Sequence, residues 1–325
     1  MISVLIPAYN TSALIERAIS SVLHQSCQDF EIVVVDDASA DNTLEVVRAI
    51  GDARIRIFEQ EENRGPAAAR NRALREARGE FCAYLDGDDY WEPEFLRKTS
   101  EFLTRHPEAV AVFTGQCHHS VSTQKSIRPR CLTEVPVAIR EPMILSDFFQ
   151  FWREQKFLVC TGSIMIRTEI LRNLGGQRED LRIGEDLELW CLLGGQGPIG
   201  FIPEVLFVSD GNRQPGSRRQ VHQKLLARWR GAPTVEAWSQ RHQPTVYPPD
   251  YAYVRGEVAG MLIYAYIMRG DTMLACQTVR KYRDCLPVSG VMDLYRKCSG
   301  CLIGWWLFCV ALRLRESLRN GIGAE

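Results

Sequence analysis

The chain predicts an α/β fold, doubly wound around a mostly parallel sheet, with a helical C-terminal extension. Two observations carry this expectation. Short apolar runs alternate with amphipathic stretches at the start of the chain, and acidic or turn-forming residues follow directly on three of those runs. Ile2 to Ile6 is a nearly continuous apolar run, as suits a strand buried on both faces. Leu14, Ile15, Ala18, Ile19, Val22 and Leu23 then recur at helical spacing. Glu31-Ile32-Val33-Val34-Val35 reads as a second buried strand, and Asp41 as the cap of a helix running to about Ile50. Ile55, Ile57 and Phe58 mark a third strand. Gly65-Pro66 opens an alanine-rich helix, with proline at its first position and Gly79 closing the far end. Phe81 to Leu85 is a fourth strand. This alternation argues for a parallel sheet with right-handed crossovers, in which ligands bind beyond the carboxyl ends of the strands.

From about Thr114 to Phe157 the rhythm breaks. Leu158 to Ile166 reads as another strand, Asp186 to Leu193 as a short helix, and Phe201 to Val208 as a strand around Pro203. From about Tyr251 onward the pattern is helical, including Val258 to Met268 and Thr272 to Tyr282. Apolar residues make up 46% of the 325 and charged residues 24%, the composition of a soluble globular protein. The formal net charge of −1 provides no global field toward nucleic acid, so no nucleic-acid partner is expected. The N-terminus enters a strand with no basic n-region, so no secretion signal and a cytoplasmic location are expected. The 11 cysteines are odd in number and scattered, and read as reduced thiols. Cys298-x-x-Cys301 has no second pair with which to complete a zinc site.

The unusual residues gather at the strand ends: Pro7-Ala8-Tyr9-Asn10, Asp36-Asp37 and Asp86-Gly87-Asp88-Asp89. Carboxylates crowded into one crevice repel unless a cation or hydrogen-bond donors compensate. Hard divalent cations, which take oxygen ligands and share substrate phosphates, are natural occupants. Aspartates at strand ends also form turns and caps, and Asp41 reads that way. A strand followed directly by Asp86-x-Asp88 serves no capping purpose, so that pair reads as functional.

These segments, with Asn63-Arg64-Gly65 and Ala69-Arg70-Asn71, occur in the order and spacing of family 2 glycosyltransferases, which the chain resembles over about residues 2 to 217. Gly175-Gly176 followed by Glu185-Asp186-Leu187-Glu188 is similar to the same family's ED motif. The resemblance implies a GT-A catalytic domain over residues 1–217, followed by a helical region over 218–325. It implies a sugar transferred with inversion from a nucleotide diphosphate to a hydroxyl of a glycan or glycolipid acceptor. Pro7 and Tyr9 would lie at the nucleotide, Tyr9 against its base, and Asp37 would accept from a base N–H. Asp86 would contact the ribose, Asp88 would bind Mg²⁺ or Mn²⁺, Arg70 would help neutralise the diphosphate, and Asp186 would be the general base. Plainer roles stand beside these: an aromatic loop residue for Tyr9, a solvated helix residue for Arg70, a helix cap for Asp186. One departure is Gln214, in Arg213-Gln214-Pro215-Gly216-Ser217, where the family often carries a histidine.

Three other classes compete. A phosphorylation-dependent receiver would carry its acidic pair after the first strand rather than the second. A nucleotidyltransferase would want a glycine-rich, basic loop after the first strand, which Pro7-Ala8-Tyr9-Asn10 lacks. A catalytically silent nucleotide-binding protein would not need Asp186. In the tail, Cys301 to Leu312 is an apolar run with Trp305, Trp306 and Phe308, flanked by Arg296, Lys297, Arg313, Arg315 and Arg319. A spanning helix needs about 20 apolar residues, so this run suits either a docked terminal helix or peripheral contact with a membrane.

Overall fold

Strand β1 (Ile2–Ala8) is buried along its whole length, and its side chains divide between two faces. Ile2, Val4, Ile6 and Ala8 share one core with Ile15, Ala18, Ile19 and Val22 of α1 (Ile15–Leu23) and Val47 of α2 (Thr43–Ile50). Ser3 turns to the other face, where α3 (Pro66–Glu76) packs on β1 and β2 (Phe30–Asp36) through a run of buried alanines. Helices therefore cover both faces of this part of the sheet.

The computed structural model describes residues 1–120, 125–133, 138–156, 159–210, 227–242, 247–286 and 302–319. The remaining elements up to Asp210 are β3 (Ile55–Glu59), β4 (Phe81–Tyr84), β5 (Tyr90–Trp91), α4 (Phe95–Arg105) and β6 (Ala111–Ser120). They continue with β7 (Lys125–Ile127), α5 (Arg130–Thr133), β8 (Met143–Leu145), α6 (Phe148–Gln155), β9 (Ile164–Arg167), α7 (Thr168–Asn173), α8 (Glu185–Gly194) and β10 (Ile199–Asp210). The sheet runs β3-β2-β1-β4-β9-β6-β10-β5, with β7 on β6 and β8 on β10. The first four strands are parallel, β9 is antiparallel to both β4 and β6, and β10 lies parallel to β6. The fold is the α/β arrangement that the sequence predicts, parallel in its first half and mixed in its second.

Some elements differ locally from expectation. The strand expected over 158–166 is the shorter β9, preceded by a 3₁₀ turn at Thr161–Ser163, and residues 157 and 158 lie outside the described residues. Helix α2 begins at Thr43, so Asp41 stands one residue outside its cap position. Its carboxylate instead accepts the N–H groups of Thr43 (3.1 Å) and Ser12 (3.1 Å), tying the loop after β1 to the start of α2. The stretch from Thr114 to Phe157 holds most of β6 together with β7, α5, β8 and α6.

Two compact units divide the chain: Met1–Glu179 with Leu189–Gln214, and Asp180–Glu188 with Pro215–Glu325. The second unit is helical over Val235–Trp238, Tyr251–Arg269, Thr272–Lys281 and Leu302–Arg319. Val254, Val258, Leu262, Ile263, Cys276 and Trp305 are among its buried side chains. No described helix is long and apolar enough to cross a membrane. The cysteines of the described residues are free thiols, mostly buried; Cys298 and Cys301 lie outside them.

A buried polar knot pins β1, β2 and the end of α3. The Ser3 hydroxyl donates to Glu31 (2.7 Å) and accepts the Gly79 N–H (2.8 Å), while Arg56 (2.8 Å) and the Arg78 N–H (2.6 Å) also reach Glu31. Burial opposes ionisation of Glu31, but Ser3, Arg56 and Arg78 outweigh it and hold the carboxyl below its ordinary value. A depressed carboxyl contributes stability that is present above its unfolded pKa and lost as pH falls through the folded one. Glu31→Gln is therefore expected to cost about 1–3 kcal/mol at neutral pH. Between about pH 3 and 5 its stability should fall less steeply than that of the wild type. Urea unfolding at several pH values checks this, and equal pH slopes in both proteins would remove Glu31 as the source.

Candidate active site

Strand order reverses between β1 and β4, and the carboxyl ends of these strands carry the residues singled out above. The loops after β1 and β2 are stitched together. Asn10 donates its N–H to Ser39 Oγ (2.9 Å) and accepts the Ala40 N–H on its side chain (2.8 Å), while Asp36 accepts the Ser39 N–H (2.9 Å). Asn10 (φ 51°) and Ala38 (φ 58°) both hold left-handed backbone, which is disfavoured for a residue with a Cβ and concentrates at functional sites. Pro7 is buried near the end of β1, and Tyr9 beyond it is 45% exposed.

Asp37 is buried, and its carboxylate accepts the N–H groups of Arg64 (2.8 Å) and Gly65 (2.8 Å) and the side-chain amide of Gln60. Burial raises its pKa, and these bonds offset that only in part. A carboxylate offers about four lone-pair positions, so three protein donors leave roughly one for a ligand.

At the end of β4, oxygens of Asp86, Asp88 and Asp89 lie within 4.8 Å of one another. Two arginines frame this trio. Arg70, buried on α3, donates to Asp86 Oδ1 (2.6 Å) and to Gln177 Oε1 (3.0 Å). Arg17 on α1 donates to the Asp88 carbonyl (2.7 Å), pairs with Asp210, and lies 5.0 Å from the Tyr90 ring centroid. Asp210, at the end of β10, gives its own N–H to Asp89 Oδ1 (3.1 Å). Three clustered carboxylate groups suit a hard divalent cation, which would keep further positions for phosphate oxygens and water. The donor set fits.

Arg70 is held in turn from below. Asn71 accepts the Gln177 N–H (2.9 Å) and donates to the Gln177 carbonyl (2.7 Å), which orients the side chain that meets Arg70. Asp186 is carried by the second unit, half-buried in the first turn of α8. Arg213, Gln214 and the rest of that loop to Ser217 lie outside the described residues. The structure thus joins Asp86 and Asp88 to Asp89 and Arg70, with Asp37 and Tyr9 on neighbouring strand ends. Sequence reasoning missed Arg17, Asp210 and Gln177. Arg17 and Asp210 are 193 residues apart, and no local pattern marks either.

Comparison with known proteins agrees with this geometry. The sequence model of Glycosyl transferase family 2 matches residues 3–175. EpsE of Bacillus subtilis (strain 168), which carries a glycosyltransferase name, is 32% identical over 213 residues, 63% of this chain and 71% of that protein. The Escherichia coli UDP-Glc:α-D-GlcNAc-diphosphoundecaprenol β-1,3-glucosyltransferase WfgD is 44% identical over 91 residues, 28% of this chain and 36% of WfgD. The crystal structure of S. aureus TarS 1-349 in complex with UDP-GlcNAc shares the fold, with a TM-score of 0.61 and 17% identity over 100% of this chain and 93% of that one. The receiver and nucleotidyltransferase readings fall with the family match.

The turn beneath Arg70 allows a direct test. Gly176 has φ +68°, and a β-carbon there would stand 2.3 Å from Asn71 Oδ1. Gly176→Ala should therefore lower stability by about 1 kcal/mol or more, through backbone strain and the displaced amide. Thermal unfolding reads the loss, and an unchanged midpoint would show that the turn relaxes freely.

Proposed function

Because the chain belongs to glycosyl transferase family 2, we propose that it moves one sugar from a nucleotide diphosphate onto a hydroxyl of a glycan or glycolipid, with inversion at the anomeric carbon. The observation that carries the reading is the Asp86–Asp88–Asp89 cluster at the strand ends, framed by Arg70 and Arg17. In this reading the cluster holds Mg²⁺ or Mn²⁺, which when bound offsets the charge that builds on the departing diphosphate. Arg70 fixes the Asp86 carboxylate and balances the charge of the cluster. Pro7 stiffens the last residues of β1 before Tyr9, which lies against the base of the nucleotide. The remaining acceptor position of Asp37 takes a base N–H.

Asp186 acts as the general base. The acceptor O–H bond breaks as its proton passes to the Asp186 carboxylate, and the freed electron pair forms the new C1–O bond. On the opposite face the bond from C1 to the phosphate oxygen breaks, and its electron pair leaves with the nucleoside diphosphate. Single displacement inverts C1.

A ligand bound only by the native state raises its melting temperature. UDP-glucose, UDP-N-acetylglucosamine and GDP-mannose should therefore be screened by thermal shift with and without Mn²⁺. One of them is expected to stabilise the wild type in a metal-dependent way, and Asp88→Ala should lose that stabilisation and turnover while staying folded. Stabilisation and turnover that survive both Asp88→Ala and excess chelator would discard the metal-dependent mechanism, and a product of retained anomeric configuration would discard inversion.

The C-terminal helix supports peripheral contact with a lipid surface. Trp305 is buried, and its indole N–H donates to the Thr272 carbonyl (2.7 Å), so one face is docked within the second unit. Trp306 (56%) and Leu307 (55%) on the same helix, with Met273 (57%) beside Thr272, stay exposed, and Arg313 is exposed one to two turns further on. Apolar side chains next to a cation are what an interfacial helix uses. The protein should cosediment with vesicles containing anionic lipid, and Trp306→Gln with Leu307→Gln should abolish this at unchanged thermal stability. A wild type that ignores such vesicles would sink the idea.

A further inference from the structure

The segment that carries Asp186 is fixed within the second unit at both ends of one helical turn. The first hydrogen bond of α8 runs from the Glu188 N–H to the Gly184 carbonyl (2.9 Å). That same carbonyl accepts the indole N–H of Trp238 (2.9 Å), whose ring is wholly buried. At the other end of the turn, the Glu188 carboxylate is wholly buried and gripped by Arg241, with Nε donating to Oε1 (2.7 Å) and Nη2 reaching Oε2. The backbone carbonyl of Glu188 faces His242 Nε2 (3.3 Å), and Arg228 Nε donates to the Arg182 carbonyl (3.1 Å). Asp186 sits midway between the two clamped residues.

We propose that Trp238 and Arg241 are positioning residues that set the Asp186 carboxylate through Gly184 and Glu188, so that the C-terminal unit takes part in catalysis by holding the base. This rests on the reading of Asp186 as base. A buried ion pair is a poor way to gain stability, since a well-packed apolar pair of similar volume often does as well or better. What the two-pronged guanidinium grip supplies is direction, because its planar fork admits few orientations. Direction matters here, because misplacing a catalytic group by about 1 Å costs on the order of 10²-fold in rate.

The test uses the full-length protein and the nucleotide sugar that stabilises it most in the screen above, with Mn²⁺. Turnover is read as nucleoside diphosphate release. Trp238→Phe keeps an aromatic side chain but removes the N–H together with the five-membered ring, so its stability is measured alongside, whereas Arg241→Lys keeps the charge and removes the fork. Each is expected to lower kcat about 10-fold while the Kd for the nucleotide sugar, measured separately, stays unchanged. Asp186→Asn combined with Arg241→Lys should be no slower than Asp186→Asn alone, because residues acting through one group do not add. Multiplying losses in the double variant, or wild-type kcat in both single variants, would overturn the proposal. Wild-type turnover by Asp186→Asn alone would instead remove the base itself, and the two failures are told apart by that variant.

Discussion

Three carboxylates within four residues repel one another, and their charge must be offset from groups brought in by the fold. Much of the first unit is arranged to do so. Arg17 comes from α1 on one face of the sheet and Arg70 from α3, packed on the other. A doubly wound sheet puts helices on both sides of a strand end, so two cations can flank one acidic turn without crossing the ligand side. Each cation is anchored by more than its acidic partner. Gln177 steers Arg70 besides Asp86, and the Asp88 carbonyl with the Tyr90 ring steers Arg17 besides its acidic partner Asp210. The acidic turn is thereby held by the fold itself, and a site preorganised in this way would avoid the cost of rearranging on binding.

What the sequence revealed and what it hid follow one physical division. The parallel half was legible because each strand of β1, β2, β3 and β4 is a local apolar run, separated from the next by a crossover with its own helical period. The acidic strand ends were legible for the same reason, being contiguous. In the mixed half β9, α8 and β10 were legible as local runs, but the pairing of the strands was not. Strand β6 pairs with β9 and β10, whose sequence positions are remote from it, and β10 carries register shifts between Ile202 and Phe207 around Pro203 that break its alternation. The framing of the site was hidden likewise. Arg17 reads as one more polar residue on an amphipathic helix, and Gln177 as part of a glycine-rich turn, until the fold brings each to its partner.

The partition of the chain at Asp180–Glu188 has a chemical meaning. These residues lie inside the sequence span of the family resemblance, yet they group with the C-terminal helices. Leu181 and Ile183 are buried, and Trp238 and Arg241 close on either end of the following turn. The metal-type cluster and the strand-end loops thus belong to one unit and the ED segment to the other. In the proposed reading Asp186 meets the acceptor hydroxyl, so the C-terminal unit would hold the group that receives the acceptor's proton. Buried Trp238 and His242 and one ion pair hold this segment, and close packing there tolerates little drift.

Asp37 serves architecture and, in the proposed reading, recognition as well. Its three protein donors come from Gln60, Arg64 and Gly65, so the carboxylate joins the end of β2 to the N-terminus of α3. Helix N-termini favour negative charge, which compensates part of what burial costs. The pKa is nevertheless raised, burial being the larger effect. A partly compensated carboxylate still gains from another donor, since one more hydrogen bond to the charged form lowers the same penalty. In the proposed reading, saturating three positions sharpens the fourth: it can point in few directions, and a base that offers an N–H along that direction would be favoured over one that offers a lone pair. A latch that is almost full is selective in what completes it.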